Sequence, residues 1–128
     1  MIKYLLDTNI VIYVLKRRPT EILEIFNKNA NRMAISSITL SELIYGAEKS
    51  QSVDKNLEAI EEFISHLDVL PYDAKASKHY GQIKATLEKK EEIIGENDIH
   101  IAAHAISQGL ILVYSLTVVA SSTAEAIF

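Results

Sequence analysis

Cysteine is absent from the 128-residue chain. No disulfide framework, thiolate zinc site or thiol nucleophile is therefore available, and a reducing cytoplasm is the expected location. Long apolar runs are missing too. The stretch Leu110 to Ala120 covers 11 residues, against the roughly 20 that a helix needs to cross a bilayer. The opening MIKYLLDTNIVIYVLKRR carries its charges on the wrong side of the apolar run for a secretory signal, and no small-residue cleavage site follows. No targeting or membrane segment is expected. Basic residues are missing from the last 38 positions, since all 13 lie between Lys3 and Lys90.

What is present is the composition of an ordinary globular protein, 48% apolar and 23% charged, and neither a disordered nor a fibrous chain fits those values. The length suits one domain, expected over residues 1–128. A net charge of −4 argues against broad nonspecific attraction to nucleic acid while leaving room for a local basic face.

Along the chain, Ile2 to Leu6 predicts a strand, and Asp7-Thr8-Asn9 is the kind of polar cluster that ends a strand and caps a helix. A helix is expected over Ile10 to Leu15, and a second after Pro19, from Glu21 to Asn29. Met33 to Ser36 predicts the next strand, followed by a helix starting near Thr39. Further helices are expected at Val53 to Ser65, Ala74 to Lys90 and Asp98 to Ser107, with strands at Leu67 to Leu70 and Leu110 to Val113 and a loop from Glu91 to Asn97. Gln108-Gly109 stands where a left-handed helix cap is usual. Strands alternating with helices imply a parallel sheet covered on both faces, because each parallel connection needs a crossover of a dozen or more residues. No repeat, low-complexity segment or linker interrupts the pattern.

Open α/β sheets bind ligands beyond the carboxyl ends of their strands. Asp7 and Asp98 fall at or near such junctions, and Glu42 lies one turn inside a helix that follows a strand, so the three acids can converge on one cleft. Crowded carboxylates repel one another, and a shared divalent cation keeps them ionised. Oxygen-only ligation selects Mg²⁺ or Mn²⁺. Each acid also has a plainer explanation. Thr39-x-x-Glu42 matches a capping box, Asp98 suits a helix N-terminus, and Asp7-Thr8-Asn9 can be capping alone. Spacing by itself leaves both open.

Three strings carry a more specific signal: LLDTNIVIYVLKRRP, ISSITLSELIYGAEKS and IGENDIHIAAHAISQGLILV. In order and separation they closely resemble the motif regions of VapC-type toxins of the PIN-domain ribonuclease family, and the resemblance covers residues 1 to about 113. It implies a three-layer α/β/α fold around a parallel sheet. It further implies an endoribonuclease dependent on Mg²⁺ or Mn²⁺, paired with a small VapB-type antitoxin, commonly dimeric, and in touch with DNA only through that antitoxin. The family's acids fall on Asp7, Glu42 and Asp98, with Asp7 and Asp98 as direct metal ligands and Glu42 either a ligand through water or an aid in orienting the nucleophile. Structured RNA, tRNA first, is the implied substrate. Thr8, Asn9 and Ser37 can hold outer waters, although capping suits each; Glu96 is read as loop charge.

After Val113 the chain departs from that family. Residues 114–128 are apolar and uncharged except for Glu125, where the family usually continues in polar residues, and Ser115 or Thr117 are weak stand-ins for a further site residue. A rival reading follows, in which the chain keeps the toxin fold, cleaves weakly and mainly binds its antitoxin. Other features carry less. His100 and His104 lack the glutamate that a zinc-protease helix requires, and Asn9 stands where an aspartyl-phosphate enzyme would carry a second aspartate. Lys16-Arg17-Arg18 can touch an RNA backbone or simply end a helix in solvent, and Tyr13, Tyr45, Tyr72 and Tyr80 can stack on bases or pack.

Overall fold

The computed structural model describes residues 1–16, 24 and 26–114. Its strands are β1 (Tyr4–Leu6), β2 (Met33–Ser36), β3 (Asp68–Leu70) and β4 (Ile111–Val113). Its helices are α1 (Thr8–Leu15), α2 (Ser37–Glu48), α3 (Val53–Ile64), α4 (Ala74–Lys89) and α5 (Glu96–Gln108). The helix expected from Glu21 and the tail beyond Tyr114 lie wholly or partly outside the described residues.

All strand pairs are parallel, in the order β3-β2-β1-β4. The register sets Leu5 between Ala34 and Leu112, and Leu6 between Ile35 and Val113. Successive strand residues point to opposite faces, so this register sorts the apolar side chains into two cores. Leu6, Met33 and Ile35 pack with Val11 of α1, Leu43 of α2 and Phe63 of α3. Leu5, Ala34 and Leu112 pack with Ile101, Ala102 and Ala105 of α5. Helices thus cover both faces of one sheet, as the three-layer α/β/α expectation requires. The small side chains Ala102 and Ala105, both at most 3% exposed, let α5 lie close to the sheet. The helix ends at Gly109, whose φ of 66° is the left-handed cap expected there.

Three helices begin earlier than the sequence predicts, the first of them α1, which opens at Thr8 rather than Ile10 with Asp7 as its cap. Ser36 caps α2 by accepting from the Ile38 N–H at 3.1 Å, so the helix starts at Ser37 rather than near Thr39. Thr39 is then fully buried inside the helix, and the capping box with Glu42 does not form. Similarly α5 opens at Glu96 after Gly95, so Glu96 is a first-turn acid rather than loop charge. Its carboxylate pairs with Lys84 at 2.6 Å and accepts from the Tyr80 hydroxyl, which ties it to α4. Among the described residues no helix is long and apolar enough to cross a membrane.

Candidate active site

Asp7 directly follows β1, with its N–H donating to the Val113 carbonyl of β4 at 3.0 Å. Its Oδ1 accepts from the Ile10 N–H at 2.9 Å, so the residue does cap α1. The other carboxylate oxygen is not needed for that bond. Burial is the main cause that pushes the Asp7 carboxyl up to about 6; the Ile10 N–H opposes this, and the negative charges of Asp98 and Glu42 add to it. Capping and membership of an acidic cluster are therefore compatible at this position.

Glu42 sits in the second turn of α2, where its Oε1 accepts from the Thr8 hydroxyl at 2.6 Å. Asp98 is exposed in the first turn of α5, with its Oδ2 close over Gly95. Two adjoining clefts join these residues. One is lined by Asp7, Asn9, Ile94, Asp98 and Tyr114, the other by Thr8, Asn9, Glu42, Tyr45, Lys49 and Asp98. Asn9 and Asp98 belong to both walls, so the cleft of Asp7 and the cleft of Glu42 adjoin at Asp98, near the carboxyl ends of β1 and β2. Among the described residues, no three His, Asp or Glu side chains close on a common point tightly enough to hold an ion unaided. The adjoining clefts offer an open, all-oxygen donor set in which a divalent cation would relieve the mutual repulsion felt at Asp7.

Other sequence-predicted residues fall differently. Thr8 faces Glu42, Asn9 lines both clefts, but Ser37 turns away and accepts from the Tyr72 N–H at 3.0 Å. His104 is fully buried and bonds Ser36 Oγ through Nδ1 at 2.8 Å. His100 stacks on Tyr80 with ring centroids 4.1 Å apart, its Nδ1 2.8 Å from the Glu96 carbonyl. Packing accounts for both histidines. Lys16 is exposed and lines neither cleft, while Arg17, Arg18, Ser115, Thr117 and Glu125 lie outside the described residues. The Thr8–Glu42 link and the cleft positions of Asn97 and Lys49 escaped the sequence reading, because nothing in local periodicity tells which way an exposed polar side chain on a neighbouring element points.

Comparisons with known proteins agree with this geometry. The PIN domain family matches residues 4–116. The chain is 62% identical over 113 residues to Ribonuclease VapC2 of Haemophilus influenzae, covering 88% of this chain and 86% of that one. It is 52% identical over 117 residues to the tRNA(fMet)-specific endonuclease VapC of Shigella flexneri, covering 91% and 89%. In structure it resembles the DNA-bound VapBC of Salmonella typhimurium, with a TM-score of 0.86 at 53% identity over 89% of this chain and 86% of that one. The chain belongs to the PIN-domain family, among its VapC-type toxin ribonucleases.

Proposed function

We propose that the chain is a toxin-type endoribonuclease that hydrolyses phosphodiester bonds of structured RNA, tRNA foremost, in the adjoining clefts lined by Asp7, Glu42 and Asp98. The observation that carries this reading is the gathering of acids from three separate elements around adjoining clefts, where burial first, and the charges of Asp98 and Glu42 in addition, push Asp7 up to about 6. Asp7 and Asp98 would hold Mg²⁺ or Mn²⁺ directly, with Glu42 reaching it through water. Divalent-metal chemistry in such a site activates the attacking water and offsets charge developing on the phosphate. The protein's own part is orientation. Asp7 is fixed by the Ile10 N–H, and Glu42 by the Thr8 hydroxyl, so that neither has to reorganise when an RNA phosphate arrives.

The name of the Shigella flexneri relative makes tRNA(fMet) the first substrate to try. The Salmonella typhimurium complex supports a VapB-type antitoxin as partner, with DNA reached through it, and a homodimer in the cytoplasm completes the reading. Relatives at 52–62% identity are named ribonuclease or endonuclease, so a binding-only role is not favoured. The test is cleavage of tRNA with Mg²⁺ or Mn²⁺, with chelator and the Asp7→Asn and Asp98→Asn variants as controls. Cleavage that survives chelation or both substitutions would sink the assignment.

A further inference from the structure

The cleft beside Glu42 has a second wall that the acidic site does not use. Glu42, Tyr45 and Lys49 follow one another at three- and four-residue steps along α2, and residues so spaced share a helix face. Lys49 Nζ lies 4.8 Å from the centre of the Tyr45 ring, backing one face, and Tyr45 remains 65% exposed. Acid, ring and cation thus run outward along one wall, with Lys49 about 10 Å from Glu42 along the helix axis at 1.5 Å per residue. The cleft they line has a volume of about 680 Å³, within the roughly 300–1,000 Å³ range of small-ligand sites.

The other tyrosines are placed differently: Tyr114 is exposed and lines the other cleft, beside Asp7 and Asp98, while the remaining four lie away from those acids. Tyr80 is stacked on His100, and Tyr72 meets His100 and His104 edge-on. Tyr13 is exposed but lines neither cleft, and Tyr4 lies beneath Lys3 and Arg32. Among the described tyrosines with a cation over the ring, Tyr45 is the one that is both exposed and on the wall of the acidic site. Aromatic rings of this kind bind unpaired bases by stacking, with little preference for base identity, and a neighbouring cation takes the phosphate.

We infer that Tyr45 and Lys49 form a nucleotide subsite, in which one unpaired RNA base stacks on the open face of Tyr45 and the adjoining phosphate pairs with Lys49. The inference rests on the ribonuclease reading above. It assigns the cleaved bond to a loop or other single-stranded segment, because a base inside a duplex cannot reach the ring.

Kinetics on a stem-loop RNA test it. Base stacking on an aromatic ring corresponds to a roughly 5- to 150-fold effect on affinity, so Tyr45→Leu should raise KM by that order while changing kcat far less. Tyr45→Phe, which keeps the ring, should restore wild-type KM, and Lys49→Gln should lower the salt dependence of KM by about 0.7 in log–log slope. An abasic nucleotide at the matching position should reproduce the Tyr45→Leu defect in the wild type and add nothing in the variant. Cleavage by the wild type with an unchanged KM in Tyr45→Leu overturns the subsite and leaves the ribonuclease reading standing. A wild type that neither binds nor cleaves RNA overturns both. Wild-type KM for RNA combined with weakened binding of a VapB-type antitoxin would make the ring a protein contact, and the subsite would be rejected.

Discussion

Thr8 donates a 2.6 Å hydrogen bond to Glu42 and so joins the first turn of α1 to the second turn of α2 across 34 positions of sequence. The same Thr8 oxygen lies 3.2 Å from the hydroxyl of buried Thr39, so it is located from two sides. Glu42 therefore enters the cleft with one oxygen already held.

Thr8→Val keeps the shape of Thr8 and removes its hydroxyl. A hydrogen bond to a charged acceptor contributes roughly 1.5–3 kcal/mol, so if half or more of that orients Glu42 for the reaction, kcat should fall by about tenfold. Thr8→Ser should retain most of the rate. Glu42→Gln can still accept from Thr8 and should keep the melting temperature close to wild type while losing activity. Steady-state rates beside thermal melts decide this, and a fully active Glu42→Gln would remove the residue from the site.

Asp7 sets a pH signature in the metal-free protein. With its folded value near 6 and its ordinary value at 3.8, the native state holds more proton than the unfolded state between those limits. Stability from this group is thus fully present below about pH 3.8 and is lost as pH rises through 6. Asp7→Asn keeps a good N-cap and deletes the repulsion, so at pH 7 without metal its melting temperature should match or exceed wild type. Added Mg²⁺ or Mn²⁺ should stabilise the wild type more than the variant, because only binding to the native state shifts unfolding. A large loss of stability in Asp7→Asn would reduce Asp7 to a cap.

His104 acts with the opposite sign. It is fully buried, its Nε2 has no hydrogen-bond partner among the described residues, and burial holds its pKa below 6.5, with Asp73 pulling the other way. Ser36 Oγ and the edge of Tyr72 lie against its ring. The unfolded state binds more proton below pH 6.5, so this contribution is present above 6.5 and lost as pH falls toward the folded value. His104→Gln, which can still meet Ser36, should flatten stability against pH on that limb. Denaturant titrations at pH 5 and pH 7.5 would expose the difference, and equal pH slopes in variant and wild type would count against it.

The parallel sheet, its two covered faces and the strand positions were legible because apolar runs and their crossover lengths are local properties. The strand order β3-β2-β1-β4 was not, since it depends on which strands meet. Helix starts were misjudged where two capping residues competed: both Ser36 and Thr39 suit an N-cap, and burial of Thr39 in the interior decided between them. Asp7, Glu42 and Asp98 were picked from family-like strings; the structure sets Asp7 and Glu42 in two adjoining clefts, with Asp98 in the wall of both. Thr8 was read as a cap or water holder, because its true partner is remote in sequence. The expectation that the apolar tail weakens cleavage concerns residues 115–128, outside the described part of the chain.

Asp98 can be tested without touching its carboxylate. A Cβ placed on Gly95 would stand 3.3 Å from Asp98 Oδ2, so the neighbour must give by a few tenths of an ångström. The backbone does not forbid the change, since Gly95 has φ −58° and ψ 143°, which any residue adopts. Gly→Ala gains about 0.4–1 kcal/mol through the unfolded chain, while alanine is a poorer N-cap than glycine, and these oppose each other. Stability of Gly95→Ala should therefore stay within about 1 kcal/mol of wild type. Its catalytic rate should still fall several-fold, because a carboxylate that positions a reaction tolerates displacement of that order poorly. Gly95→Ser, with the same Cβ and a hydroxyl able to donate to Asp98, should show a similar defect. A Gly95→Ala enzyme with the wild-type rate at matched metal concentration would mean that the position of Asp98 is not critical, and the site would then rest on Asp7 and Glu42.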